Sequence, residues 1–323
     1  MNALAKKSVS KATAAYEKVV IVTRRTQLEE LVARFNTVPQ AQFYLEHAGQ
    51  DFMPIAAEHQ RYQAVLDGVR GRIPEGLKQQ IIERSFLPQF KFGESDLVIT
   101  IGPDGLVVNT AKYLNQQPIL AVNPDPESID GVLLPFDSNN FDRALELSLQ
   151  QELEVKPVTM VETQMSDGQR LLGFNDMFIG AKTHVSARYD IAQGPQKEYQ
   201  SSSGIIVSTG AGSTGWLQSV YTGAARVIET LGGQIRPLKN GGRLPWDSDH
   251  LIYAVREPFP SKVTGTRMSF GVITKNKPLV LISRMSDNGV IFSDGIEADY
   301  LRFNAGTTAT IRVADQKAHM LVN

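Results

Sequence analysis

Short apolar runs alternate with helical patterns along roughly the first 145 residues of the chain. The three clearest runs cover residues 18–23, 97–101 and 118–123, and they are rich in valine and isoleucine. Continuous apolar runs of this length are typical of strands that are buried on both faces of a parallel sheet. Helical spacing follows the first two runs, over residues 27–35 and 107–114. This alternation predicts an α/β N-terminal domain with a doubly wound parallel sheet.

The segment between the first two runs is polar and has few strand signals. Residues 40–92 show helical spacing over 60–69 and 77–85, between glycine and proline breaks. The pattern predicts a helix-rich segment that is longer than a single crossover connection needs.

The pattern changes near Val155, where short alternating runs separated by glycine, asparagine and aspartate turns begin. One helical run interrupts them, over residues 215–231. The predicted strands cover residues 158–163, 170–179, 184–191, 204–208, 251–255, 268–273, 278–283, 290–293 and 308–313. We therefore predict a mostly antiparallel, β-sandwich-like C-terminal domain over 151–323, after an α/β nucleotide-phosphate domain over 1–150. The last strand is expected to pack back on the first domain.

Composition narrows the choice of partners. The 323 residues carry a formal net charge of −1, which gives no broad basic field for nucleic acid or an anionic membrane. Apolar runs stay well short of the roughly 20 residues that a membrane span needs. With no cysteine in the sequence, disulfides and thiolate sites are excluded, which suits a cytoplasmic location. Three lysines among the first sixteen residues are interpreted as part of an N-terminal arm rather than a targeting peptide.

A tight turn follows the second apolar run and carries a carboxylate. It reads Gly102-Pro103-Asp104-Gly105 and leads into the predicted helix over 107–114. A strand, a glycine-rich turn and a helix can bind phosphate through backbone N–H groups, and Asp104 would project from the tip. The alternative is an ordinary Pro-Asp-Gly turn without a ligand. Because ligands of parallel sheets bind at the carboxyl ends of strands, Arg24 and the residues from Asn123 to Asp125 would lie nearby.

Two polar stretches stand out in the predicted β domain. The first is the pair Asn175-Asp176, whose amide and carboxylate could hold a ribose or an adenine edge, although an Asx turn that opens a strand is an equal alternative. The second follows a strand and reads Ser208-Thr209-Gly210-Ala211-Gly212-Ser213-Thr214-Gly215-Trp216. Small residues, hydroxyls and a helix start favour an anionic ligand there, and Trp216 offers a flat face. A glycine-rich connection without a ligand is the alternative interpretation.

In order and spacing, these three stretches resemble the motifs of the NAD kinase family. That family has Gly-Gly-Asp-Gly-Thr after a strand, then an Asn-Glu pair, then a Ser-Thr-Pro-Thr-Gly-Ser-Thr-Ala-Tyr loop. The longer mitochondrial-type members are closest in pattern, because the chain also carries Asn123-Pro124-Asp125-Pro126, Phe178-Ile179-Gly180, Ser202-Ser203-Gly204, Trp216 and Arg256-Glu257-Pro258. The resemblance covers about residues 18 to 313.

The resemblance implies an ATP- and Mg²⁺-dependent kinase that phosphorylates the adenosine 2′-hydroxyl of NAD to give NADP. Asp104 would be the catalytic residue, and ATP phosphates would contact Gly102, Gly105, Arg24 and Asn123. NAD would contact Asn175, Asp176, Ser208, Gly212, Ser213, Thr214 and Trp216. We expect no direct side-chain ligand to the metal. Family members are commonly homo-oligomers, so a homodimer or a higher homo-oligomer is expected.

The sequence departs from the family pattern at the phosphate turn. Pro103 stands where the family has its second glycine, and Leu106 stands where it has threonine. Proline removes one N–H that could face a phosphate. Two alternatives follow, namely an NAD(P)-binding protein with weak or no kinase activity and a lipid or sugar kinase of the wider superfamily.

Overall fold

A computed structural model describes residues 16–322 of the chain. Most of the predicted N-terminal arm therefore lies outside the described residues. The helices are α1 Gln27–Phe35, α2 Val38–His47, α3 Met53–Arg72, α4 Asp104–Ala111, α5 Phe141–Gln150 and α6 Trp216–Thr230. Short 3-10 turns cover Arg84–Gln89, Ala211–Thr214 and Lys239–Gly242.

Seventeen strands are found in the described part of the chain. They are β1 Lys18–Thr23, β2 Lys78–Glu83, β3 Asp96–Ile101, β4 Pro118–Asn123, β5 Phe136–Asp137, β6 Glu154–Met165, β7 Arg170–Gly173, β8 Asp176–Ala181, β9 Ala187–Gln193, β10 Gln196–Ser202, β11 Ile205–Ser208, β12 His250–Val255, β13 Phe270–Thr274, β14 Leu279–Ser283, β15 Gly289–Ser293, β16 Ile296–Arg302 and β17 Thr308–Val322.

The N-terminal part is built on parallel strands in the order β4-β3-β1-β2, with β5 beside β4. Their apolar side chains alternate between the two faces, and both faces are covered. Helix α4 packs on one face, beside Val20, Val98 and Ala121. Helices α3 and α5 pack on the other, beside Ile21 and Ile99. The prediction of a doubly wound α/β sheet is confirmed.

One predicted helix is wrong. Residues 77–85 do not form a helix, because Lys78–Glu83 is strand β2, paired in parallel with β1. It is the outermost strand of the parallel group, and four of its six side chains are exposed. An edge strand of this kind needs neither a continuous apolar run nor regular alternation, so its sequence carries little strand signal.

The C-terminal part contains a second sheet of six antiparallel strands in the order β13-β12-β11-β8-β15-β16. It packs against the antiparallel end of the first sheet, which has the order β10-β9-β14-β17 with β6 and β7 attached. Residues from both sheets, among them Met177, Tyr189, Val207 and Ile311, share one buried cluster. The predicted β-sandwich is confirmed. The strand predicted over 170–179 is divided into β7 and β8, which leaves Phe174 and Asn175 in a turn.

The first sheet runs without a break through both parts of the chain. Strand β17 pairs with β14 and β6, and its last residues reach β4, where His319 and Met320 lie in parallel register with Pro118 and Ile119. The division between residues 150 and 151 stays a prediction. In residues 16–322, no helix is long and apolar enough to cross a membrane.

Candidate functional site

The predicted phosphate turn lies at the carboxyl end of β3, where α4 begins. Pro103, with φ at −71°, precedes the first helical residue Asp104, a position that suits its fixed backbone angle. Glycine suits position 102, because a Cβ there would lie 2.9 Å from Cδ2 of Leu106, whose side chain would have to shift. The backbone N–H of Leu133 donates to Oδ1 of Asp104 at 2.6 Å. The Asp104 carboxylate is therefore held in one orientation at the start of a helix, while Gly105 is exposed.

Arg24 follows β1 and lies beside this turn. Its Cδ would be 3.7 Å from a Cβ at Gly102. The Arg24 guanidinium is paired with Glu58 of α3, with 2.6 Å between Nη2 and Oε1. Its backbone N–H donates to the hydroxyl of Tyr62, which in turn donates to the carbonyl of Ile101. Burial raises the pKa of that tyrosine to about 12, so the hydroxyl stays protonated as a donor. The structure thus brings Arg24 to the turn already engaged with a carboxylate.

Asn123 lies at the end of β4, but its amide is used inside the protein. Its Nδ2 donates to the carbonyl of Ile129, and its Oδ1 accepts from the N–H of Asp125. These bonds shape the loop that leads to Leu133 and so support the orientation of Asp104. Arg61 of α3 pairs with Asp125 across 2.9 Å. Sequence reasoning did not single out Arg61, which carries no motif around it.

The predicted acceptor pair lies in the turn before β8 and is organised by a residue far away in sequence. Asp294 accepts three backbone N–H groups, from Phe174 at 2.9 Å, Asn175 at 2.7 Å and Asp176 at 3.2 Å. Thr209, which is fully buried, donates its hydroxyl to the carbonyl of Phe174 at 2.6 Å. The turn is therefore held from both sides by hydrogen bonds within the protein.

Two carboxyl groups lie close together at this turn. The Asp176 carboxyl makes no hydrogen bond to a described residue, and burial together with the charge of Asp294 raises its pKa to about 7. Burial also raises the pKa of Asp294 to about 6, against the opposing effect of its three N–H partners and Lys112. Perturbed carboxyls of this kind are typical of functional sites. The sequence signal for Asp294 was an Asp-Gly pair, which forms the β15–β16 hairpin with φ of 57° at Asp294.

The glycine-rich loop after β11 packs directly on the acceptor turn. A Cβ at Gly212 would lie 2.0 Å from the carbonyl oxygen of Asn175, so no other residue fits. Ser208 and Ser213 are fully buried, and their hydroxyls bond within the loop, to the carbonyls of Thr209 and Gly210. Thr214 and Gly215 are exposed. The loop therefore offers a ligand mainly its backbone, Thr214 and the side of α6.

Trp216, the first residue of α6, lines a cavity of about 520 Å³. Its ring stacks on Phe178, with centroids 5.8 Å apart and planes at 11°, and the Arg256 guanidinium lies 5.4 Å from its centre. Lys182 and Tyr300 also line the cavity, and Lys182 Nζ lies 5.3 Å from the ring centre of Tyr300. Because Asp176 and Phe178 are two residues apart on β8, they share one face of the sheet. The cavity is thus aromatic, flanked by two cations, and on the same face as the acceptor turn.

The side chains of the described residues offer no ready-made metal centre. Within residues 16–322, no group of three or more histidine, aspartate or glutamate side chains is arranged to hold a metal ion.

Comparison with known proteins gives distant but consistent matches. No protein family model matches the chain. It is similar to a protein named probable NADH kinase from Oryza sativa subsp. japonica, at 23% identity over 224 residues that cover 62% of this chain and 63% of that protein. It is also similar to NAD kinase 2, mitochondrial, from Rattus norvegicus, at 24% identity over 267 residues that cover 66% and 62%. The chain thus spans less than two thirds of the length of these relatives.

Solved structures share the fold. A crystal structure of yeast NADH kinase complexed with NADH matches with a TM-score of 0.59 and 13% identity, over 98% of this chain and 88% of the other. A crystal structure of an NAD kinase from Archaeoglobus fulgidus in complex with ATP matches with a TM-score of 0.53 and 15% identity, over 94% of each chain. The chain therefore shares the fold of these kinases, and the matches to the named relatives support an assignment to the NAD kinase family.

Proposed function

We propose that this protein transfers the γ-phosphoryl group of ATP to the adenosine 2′-hydroxyl of NAD and so produces NADP. The observation that carries the proposal is the meeting of the three predicted stretches in one place. A single buried apolar cluster contains Leu106, next to the phosphate turn, and Phe174 from the acceptor turn, and Ala211 of the glycine-rich loop packs against it. A donor and an acceptor bound at these turns would lie in one cleft, which is the main requirement for phosphoryl transfer.

The donor would bind at the start of α4. Backbone N–H groups there favour a phosphate, and Arg24 adds a cation beside Gly102. Mg²⁺ would arrive with ATP as part of the donor substrate, held by the phosphate oxygens, because this ion keeps substrate phosphates as ligands in many kinases. Gly105 and Asn123 belong to the same proposal, Gly105 through its backbone and Asn123 through the loop that it shapes.

The acceptor would bind across the second turn. Asn175 and Asp176 would contact the adenosine hydroxyls, since their side chains make no hydrogen bonds to described residues. Trp216 and its cavity would take the other end of the dinucleotide, with Thr214 at the entrance. Ser208, Gly212 and Ser213 would act through the shape of the loop. A homodimeric or larger assembly and a cytoplasmic location belong to the same proposal.

Asp104 would act as the general base. The acceptor 2′-hydroxyl oxygen attacks the γ-phosphorus, and its proton passes to the Asp104 carboxylate. The bond between the γ-phosphorus and the bridging oxygen breaks, so ADP leaves with the electron pair, and the proton then passes to solvent. The hydrogen bond from Leu133 orients the carboxylate for this transfer.

The test is formation of NADP from MgATP and NAD by the purified protein. Asp104→Asn should lower turnover by about 10²–10⁴-fold, the range for loss of a positioned base. Asp287→Asn, which changes an exposed carboxylate in the β14–β15 loop, should leave turnover unchanged. Equal turnover in Asp104→Asn would remove this residue from the mechanism.

A second candidate is an NAD(P)-binding protein that transfers no phosphoryl group. Pro103 favours it, because this residue supplies no N–H to a phosphate at the turn. Calorimetric binding of NAD without any NADP formation would establish the second candidate in place of the first.

A further inference from the structure

The far end of α4 is fastened to the second sheet by a buried ion pair. Lys112, directly after the helix, places Nζ 3.0 Å from Oδ2 of Asp299 and donates to the hydroxyl of Ser293 at 3.1 Å. The hydroxyl of Tyr113 donates to the same Asp299 oxygen at 2.8 Å. The Lys112 side chain is 2% exposed and that of Asp299 is 20% exposed. These residues join a helix of the α/β part to strands β15 and β16 of the other sheet.

This contact lies between the two turns of the proposed site. Asp104 occupies the first position of the eight-residue helix α4, and Lys112 follows its last position. At the other side, Ser293 directly precedes Asp294, whose carboxylate holds the acceptor turn. A short rigid helix and one pair of neighbouring residues therefore connect the phosphate turn to the acceptor turn.

The pair is poorly suited to stabilising the fold alone. Desolvating two charges costs free energy that their attraction only partly returns, and apolar side chains of similar volume often stabilise as well. One Asp299 oxygen, Oδ1, is buried without a hydrogen-bond partner among the described residues. A buried ion pair tolerates little displacement of either partner. This pair, with its unsatisfied oxygen, is therefore better explained as a contact that fixes the position of α4 than as a source of stability.

We propose that Lys112, through Asp299 and Ser293, is a positioning residue that sets the separation of the donor and acceptor turns. The proposal rests on the proposed function for its kinetic consequence, but the placement of α4 against the second sheet can be measured without any activity. Loss of the contact would let α4 shift relative to β15 and β16 while each turn keeps its own internal hydrogen bonds.

The distance between α4 and the second sheet provides the first test. The sequence contains no cysteine, so spin labels can be attached at two introduced cysteines in exposed positions. Asn115→Cys lies in the loop that follows α4, and Asp287→Cys lies in the loop that leads into β15 of the second sheet. In the parent we expect one narrow distance distribution by pulsed electron paramagnetic resonance. Lys112→Met should broaden or shift it, and Lys262→Met, which changes an exposed lysine in a loop, should not.

Kinetics provide the second test. In Lys112→Met the KM values for MgATP and NAD should stay within about threefold of the parent values, because each turn is intact. The kcat value should fall by about 30–100-fold, as expected when the reacting groups are misplaced by about 1 Å. The double variant Lys112→Met/Asp299→Met removes both charges and should recover thermal stability without recovering kcat. A merely structural role would move stability and kcat together.

The outcomes separate this proposal from the proposed function. A broadened distance with a selective loss of kcat supports the positioning role. An unchanged distance and unchanged kcat in the folded double variant overturn it. If the parent forms no NADP, the proposed function fails, and the distance measurement alone decides the role of Lys112, in favour when broadened and against when unchanged.

Discussion

Replacing Asp294 by alanine tests how the acceptor turn is held. The parent carboxylate accepts three backbone N–H groups, and the variant leaves all three without their partner. An unsatisfied buried N–H costs about 1–3 kcal/mol. The loss is partly offset, because the variant also removes a buried negative charge that raises the pKa of Asp176. We expect a net loss of about 2–4 kcal/mol in the free energy of unfolding.

Asp294→Asn is the matched comparison. Its amide oxygen can still accept from Asn175 and Asp176, and asparagine tolerates the positive φ of this position. Only the bond to Phe174 is lost, so the variant should lose about 1 kcal/mol.

Urea unfolding followed by tryptophan fluorescence measures these differences, and calorimetric titration with NAD measures the effect on binding. Because the turn carries Asn175 and Asp176, NAD affinity should fall at least about tenfold in Asp294→Ala, which corresponds to about 1.4 kcal/mol. An Asp294→Ala protein with the stability and NAD affinity of the parent would refute the reasoning. It would mean that Thr209 and the glycine-rich loop hold the turn without the carboxylate.

Three further predictions concern stability and packing. Burial raises the pKa of Asp176 to about 7 in the folded protein. Between the ordinary pKa of an aspartate and about pH 7, the folded state therefore binds more protons than the unfolded chain does. The free energy of unfolding should accordingly fall as the pH rises from about 4 to 7. Asp176→Asn should flatten this dependence in urea unfolding at a series of pH values. Gly212→Ala should abolish NAD binding in calorimetry, because its Cβ would lie 2.0 Å from a carbonyl oxygen of the acceptor turn. Gly223→Ala on α6 is the control and should retain NAD binding, because its Cβ would meet nothing within 4 Å. Leu106→Thr removes a buried apolar side chain and should lower the free energy of unfolding by about 2–4 kcal/mol. Thermal unfolding measures this loss, and an unchanged melting temperature would contradict the close packing of Leu106 in the core.

The sequence predicted most reliably those elements that are buried on both sides. Strands β1, β3 and β4 lie between two layers of helices, so nearly every residue is apolar and the run is unmistakable. Strand β2 lies at the edge, where solvent accepts polar side chains, and its sequence was mistaken for a helix. A strand that is covered on both faces therefore leaves a clearer local pattern than a strand at the edge of the sheet does.

The site was predictable only in part, because local sequence does not show which polar groups the protein uses for itself. The positions of Asp104 at a strand-to-helix junction and of Asn175 on a turn followed from strand ends and turn residues. The hydroxyl of Ser213 and the amide of Asn123 turned out to bond inside their own loops. Asp294 reaches the acceptor turn across about 120 positions of sequence, and no short-range signal reports such a contact. The roles of these residues toward ligands stay predictions.

The path of strand β17 has a consequence for how the chain reaches its native state. Residues near 320 complete the pairing of β4, which lies in the first half of the sequence, and the same strand pairs with β6 along most of its length. During synthesis this part of the β4 edge therefore stays open until β17 emerges from the ribosome. Contacts of such large sequence separation form slowly. We expect that nascent chains ending before β17 expose the β4 edge, and that such chains depend on chaperones to avoid strand-to-strand aggregation.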